Sequence, residues 1–238
     1  MATRRGPPVF FTRLRCDALE PRTAPAVDFG AGFTAAGLPG GLPAGYATGE
    51  LLLTDGPFQA AAVWAPTPVH VQAFHASFVF RLEGEPGRLG DGFTFALSAT
   101  KPAGPGVAGG GLGYAGLADS VAVKFDLVDN AGEGTDSIGV FTGGADPTTP
   151  ADRPVDPAGG AIDLHGGHVF RVGLTYAAGV LHVELRDTVT GAAATRSYAV
   201  DIPAAVGGPT AFGGLTAGTG ELFAPIDARN WTYTPTDN

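Results

Sequence analysis

Asp91-Gly-Phe-Thr-Phe95, Gly109-Gly-Gly-Leu-Gly113 and Val121-Ala-Val-Lys-Phe-Asp-Leu-Val-Asp-Asn130 follow one another within forty residues. The first of these continues into a strand, because Phe93, Phe95 and Leu97 occupy alternate positions and turn one apolar face inward. Lys124 and Asp126, two apart on the third, fall on one side of a strand. The same period of two extends outward. Phe74, Ala76, Phe78, Phe80 and Leu82 alternate with His75, Ser77, Val79 and Arg81. Further on, His168, Phe170, Val172, Leu174 and Tyr176 repeat it, as do Leu181, Val183 and Leu185 opposite His182, Glu184 and Arg186. Ala177-Ala-Gly179 reads as a hairpin turn between the last two strands, and Thr188-Val-Thr-Gly191 reads as a second turn into a strand over 194–200. No segment of about ten residues or more carries the helical period. Strands about 8–12 residues apart with turns between them predict an all-β sandwich with essentially no helix.

Composition agrees with that class. The 238-residue chain holds 38 Gly and 20 Pro, yet 44% of it is hydrophobic and gathered in short runs, which predicts many strands joined by many turns rather than disorder. A net charge of −9 repels a phosphate backbone, and no basic stripe interleaved with aromatics is present in the body of the chain, so nucleic acid is not an expected partner. Arg4, Arg5, Arg13, Arg15 and Arg22 make a basic head beside only Asp17 and Glu20. We divide the chain into this head, 1–26, expected to be flexible, and one β-sandwich domain over 27–238. The head has no apolar run of secretory length, and nothing in the chain approaches 18 continuous apolar residues, so no membrane span is expected. Cys16 is the lone cysteine, which excludes an intrachain disulfide and a thiolate metal site. Two long loops are expected over 101–109 and 143–160, rich in Gly and Pro, and the first is placed to shape the rim of a pocket.

In order and spacing, the three opening motifs resemble the sugar-binding core of the legume-type (L-type) lectins. The run Ala211-Phe-Gly-Gly-Leu-Thr-Ala-Gly-Thr-Gly220, with Ile226 through Asn230-Trp-Thr-Tyr233, is similar to the last loop and final strand of that family, so the likeness spans about 27–233. The resemblance implies a concanavalin-like antiparallel β-sandwich of jelly-roll type. It also implies carbohydrate binding through Asp91, Gly110 and Asn130, joined by Gly220 and Glu221 of the last loop. A cis non-proline peptide precedes the family's Asp; the bond here would be Gly90–Asp91. For calcium the resemblance implies Asp126, the Val128 carbonyl, Asn130 and one of Glu133 or Asp136, oxygen donors suited to a hard cation. The family's transition-metal site uses a Glu and a His where this chain has Lys124 and Ser137, so no transition metal is expected. Two readings of Lys124 stand side by side: an ammonium taking the place of that metal against Asp126 and a loop carboxylate, or a side chain reaching into solvent.

Sugar sites usually add an aromatic ring, and Phe223 or Tyr114 is the candidate. Catalysis finds little support. There is no G-x-S-x-G elbow, His165 and His168 read as strand-end polar residues, and Lys124 with Asp126 cannot form the acid and nucleophile pair of a glycosidase. The chain is read as a non-enzyme. Its alternatives are a structural or adhesive surface module of the same fold without sugar binding and, third, a β-sandwich glycoside hydrolase. Leu19-Glu-Pro-Arg22 followed by Thr-Ala-Pro resembles a short motif on large exported bacterial surface proteins, which gives an expectation of a secreted or cell-surface location. The family's habit of pairing sheets edge to edge allows a homo-oligomer.

Overall fold

A computed structural model describes residues 33–39, 50–85, 87–147, 153–154 and 162–236. The basic head over 1–26 and most of the 143–160 loop lie outside them. Two antiparallel sheets make up the fold. One runs, in spatial order, through Thr34–Ala36, Ala60–Trp64, Thr210–Gly218, Gly92–Ser98, Ser120–Asp126, Ser137–Thr142 and Arg153–Pro154, with Val69–His70 pairing to the start of Thr210–Gly218. The other runs Ala193–Ala199, Val180–Asp187, Val169–Ala177, Phe74–Leu82, Ile226–Pro235 and Glu50–Leu52. Among the described residues the helices are short: one α-turn at Ile202–Ala205, started by the Asp201 carboxylate accepting from Ala204 N at 3.0 Å, and two 3-10 turns. None is long and apolar enough to cross a membrane.

The alternating residues interlock between the sheets. Phe78 and Phe80 meet Phe93, Phe95 and Phe125 of the opposite sheet, with ring centroids 4.8 Å apart for Phe80–Phe93 and 6.2 Å for Phe78–Phe95. Within a sheet, Phe93 stacks on its cross-strand partner Phe125 at 4.9 Å, a pairing that fixes register as well as filling space. The hairpin at 178–179 is the two-residue type whose positive φ values suit strand twist, with Ala178 at 50° and Gly179 at 78°. A bulge between Arg229 and Thr232, with Asn230 at φ 55°, turns Trp231 inward against Phe95 and Phe33.

One expectation changes. The strand of Phe93, Phe95 and Leu97 is expected from its alternation to bury one face, whereas Gly92–Ser98, like its neighbour Ser120–Asp126, is buried on both. The 104–117 segment covers the outer face and brings Tyr114 against Trp64, Ala96, Ala122 and Phe141. Two polar residues on that face satisfy each other: Thr94 Oγ1 lies 2.7 Å from Thr216 Oγ1, which donates to Leu112 O at 2.9 Å.

The aromatic layer between the sheets should dominate stability. Phe93→Ala removes a fully buried ring from contact with three others and should cost about 3–5 kcal/mol in denaturant unfolding. A loss below about 1 kcal/mol would show that this layer is not packed as described.

Candidate functional site

Three neighbouring strands end together. Gly92 pairs with Gly218 on one side and Asp126 on the other, and Asp126 pairs in turn with Ser137. The segments leaving those ends therefore emerge side by side: Gly90 and Asp91 before Gly92, 219–221 after Gly218, and 127–130 after Asp126. Asp91 N donates to Gly218 O at 3.3 Å and Leu127 N donates to Asp91 O at 2.8 Å, which stitches the three together. The Gly90–Asp91 peptide is cis.

The glycine run reaches the same place because it has no side chains. The Gly109–Gly111 turn lies flat on the strand end, with Gly109 N donating to Thr219 O at 3.1 Å. A Cβ on Gly218 would come within 2.7 Å of Gly109 O, so only glycine lets the two backbones approach. Tyr114 anchors the segment from beneath: its hydroxyl accepts from Ser120 Oγ at 3.0 Å and Gly144 N at 3.1 Å. It is fully buried, so it cannot be the exposed ring a sugar would stack on, contrary to the expectation that it might serve.

Asp91 sits at the centre of this arrangement. A Cβ on Gly109 or on Gly220 would stand 3.2 Å from its Oδ2, so two glycines wall the carboxylate at close range. It is 7% exposed, and none of the hydrogen bonds among the described residues ends on its carboxylate. Burial, and then the nearby Asp126 carboxylate, push it up to about 6. Gly110, mid-turn, and Gly220 are half-buried, whereas Glu221 and Asn130 are exposed.

Two rim features escaped the sequence reading. Phe58 is 71% exposed with φ at 55°, and its N donates to Gly220 O at 3.0 Å. Its segment is held by Gln59 N donating to Thr219 Oγ1 and Thr219 N to Gln59 O, both at 2.9 Å. The available signal was an Asp55-Gly-Pro turn delivering an aromatic. Beyond Glu221 opens a cavity of about 390 Å³ lined by Glu85, Arg88, Leu222, Phe223 and Pro225. A Cβ on Gly90 would come within 2.9 Å of the Leu222 Cβ and 3.2 Å of the Val128 Cγ2, so glycine is needed for that approach.

Lys124 faces the outer side of the sheet and is fully buried, so the solvent-reaching alternative does not hold. Its Nζ donates to Asp126 Oδ2 at 2.9 Å and to the Pro147 carbonyl, lies 3.6 Å from Glu133 Oε1, and sits 5.5 Å from the Phe141 ring centroid. Asp126 Oδ1 accepts from Val128 N at 3.1 Å. Glu133 accepts from Asn130 N at 3.3 Å through Oε1 and from Ala131 N at 2.6 Å through Oε2. Burial pushes the Asp126 carboxyl up, the Lys124 ammonium and the Val128 amide oppose that, and Glu133 adds to it; the net direction is upward.

The residues implied for calcium do not come together as a ligand set. Asp136 turns away, accepting from Leu164 N at 3.1 Å and facing His165 Nδ1 at 3.2 Å. That hydrogen bond raises the His165 pKa, burial opposes it, and the charges of Asp136 and Asp163 add to the rise. All four carboxylate oxygens of Asp126 and Glu133 are taken by N–H donors or the ammonium. Ser137, paired with Asp126 in the sheet, has a buried hydroxyl with no hydrogen-bond partner among the described residues. Of the implied donors, the Val128 carbonyl and Asn130 are left, which beside a fixed positive charge fall short of the six to eight oxygens that calcium takes. Among the described residues, Asp136, Asp163 and His165 form the group whose ligand atoms lie within 4.8 Å of one another.

The fold is that of the legume lectins. The winged bean acidic lectin, solved with methyl-α-D-galactose, superposes with a TM-score of 0.70 at 19% identity, covering 88% of this chain and 94% of that one. Peanut lectin, solved with a nine-residue peptide, gives 0.69 at 22% identity over 90% and 98%. Lectin I of Ulex europaeus, in complex with the methyl glycoside of α-L-fucose, gives 0.67 at 20% identity over 87% and 93%. No family model and no curated protein matches the sequence.

Lys124→Met retains the stem and removes the charge, leaving Asp126 and Glu133 buried and uncompensated. Breaking a buried pair typically costs about 3–5 kcal/mol, against about 0–1 for an exposed one. Chemical denaturation should therefore show a loss in the upper range, and an unchanged midpoint would mean that the cluster contributes nothing.

Proposed function

We propose that this protein binds carbohydrate at the end of the sheet occupied by Asp91, with Gly110 and Asn130 beside it and Gly220 and Glu221 at the rim. The observation that carries this reading is a walled-in carboxylate on which no hydrogen bond from the described residues ends. Neighbouring sugar hydroxyls supply paired donors to such a carboxylate, and the adjacent glycine backbones leave room for a pyranose to reach it. Phe58 offers a ring at the rim for the apolar face of a sugar, with Phe223 further out in the cavity. The galactoside and fucoside named with the winged bean and Ulex lectins supply the first ligands to try.

Neither calcium nor a transition metal enters this reading, because the carboxylates that would hold one are occupied by Lys124. The reading is also non-catalytic. Lys124 stands two residues from Asp126 where a sandwich glycosidase would carry its second carboxylate, so no acid and nucleophile pair is formed there. We carry a secreted or surface location as part of the proposal, on the Leu19-Glu-Pro-Arg22 run alone. Cell fractionation tests it, and a wholly cytoplasmic protein would remove it.

Retention on immobilised galactosides, fucosides and a wider glycan array tests the binding. Asp91→Asn should abolish retention while the fold persists. Retention should also fall as pH drops through about 6, because the protonated carboxyl loses its pairing with two hydroxyl donors. Stability should move the other way. A carboxyl raised above its unfolded value favours the neutral form in the fold, so its contribution grows as pH falls toward 6 and below and is lost as pH rises through it. In Asp91→Asn the stability slope should flatten. Undiminished binding by that variant would exclude this site; no retention on any glycan would leave a structural or adhesive module, and release of reducing ends would indicate a hydrolase.

A further inference from the structure

We infer that Lys124 is an internal cation that positions the Asn130 loop, so that any ligand gripped there is gripped without metal; this rests on the carbohydrate reading only for the identity of the ligand. The geometry is that of a bridge. On one side the ammonium holds Asp126, whose other oxygen receives the amide of Val128 and so sets the path of the chain out of the strand. On the other side it faces Glu133, whose two oxygens receive the amides of Asn130 and Ala131. The loop therefore closes on a carboxylate of its own that is held in place by a charge from the sheet beneath. The Pro147 carbonyl and the Phe141 ring complete the enclosure, and Lys124, Asp126 and Glu133 are each at most 2% exposed.

Such a cluster is self-consistent only with the ammonium in it. Two carboxylates brought together out of water repel, and a single cation between them removes most of that cost. A cation supplied by a side chain two residues along the same strand is present at every metal concentration, unlike one that binds from solution. Lys124 touches no ligand. It is a positioning residue that acts on Asn130 through Glu133, and its effect should appear as order in the 130–131 backbone.

The test compares the full-length protein with Lys124→Ala and the isosteric Lys124→Met, each in chelator and in millimolar calcium or manganese. Amide hydrogen exchange at residues 130–131 is read beside glycan retention. The parent should show the same loop protection and retention in chelator as in metal. Lys124→Ala should lose protection at 130–131 and at least tenfold in retention, and divalent cation should restore part of both, because it enters the space between Asp126 and Glu133 that the ammonium left. Should the alanine variant unfold, the methionine variant supplies the same comparison, and the parent in chelator is a test that needs no variant. Loss of loop protection in the parent on chelation would overturn the inference, as would a Lys124 variant whose loop and retention match the parent. A parent that keeps its loop order in chelator yet retains no glycan would support the internal cation and sink the carbohydrate reading, which separates the two.

Discussion

The ammonium of Lys124, enclosed between the carboxylates of Asp126 and Glu133, is the interaction on which the rest of the site depends. A buried charge is expensive unless paired and hydrogen-bonded, and here the cation has two carboxylates, a carbonyl and an aromatic face around it. The enclosure exists because the sheet beneath is buried on both faces. A strand covered on one side only would leave Lys124 in water, where the same contacts are worth little. The 104–117 segment and the chain around Pro147 supply the cover, so the loops that make the rim also dry the charge that holds it.

The strand ends set the remaining geometry. Register places Gly92, Gly218 and Asp126 in one row, and residues one step beyond each of them become neighbours although they are far apart in sequence. Glycine at 109 and 220 then decides how closely backbone can approach Asp91. The result is a carboxylate with little solvent, no donor among the described residues and a raised pKa, a combination that opposes folding at neutral pH and suits a group awaiting a ligand. Phe58, held in the left-handed region beside Gly220, is a second unfavourable local choice at the same spot.

Much of this was legible in the chain. The period of two over Phe74–Leu82, the hairpins at 178–179 and 188–191 and the near absence of helix follow from local pattern, and they determine the class of fold. The order of the D-G-F, Gly-run and V-x-V-x-F-D-x-x-x-N motifs pointed to strand ends that the register brings side by side. Burial of the outer face was not legible, because it depends on where a segment rich in Gly and Pro lies down, and no periodicity records that. For the same reason Glu133 and Asp136 stood as equals in the sequence. Only the path of the loop turns Glu133 toward Lys124 and leaves Asp136 to His165. Phe58 went unnoticed because its partner, Gly220, is 162 residues away.

Lysine side-chain NMR offers the most direct test of the internal cation, since the chain holds only two lysines, Lys101 and Lys124. In protein kept in chelator, the account predicts one ammonium resonance in slow exchange with water. It should show contacts to the Phe141 ring and be absent from Lys124→Met. Two ammonium groups that both exchange as freely as solvated side chains, or a protected signal that emerges only when calcium is added, would contradict it.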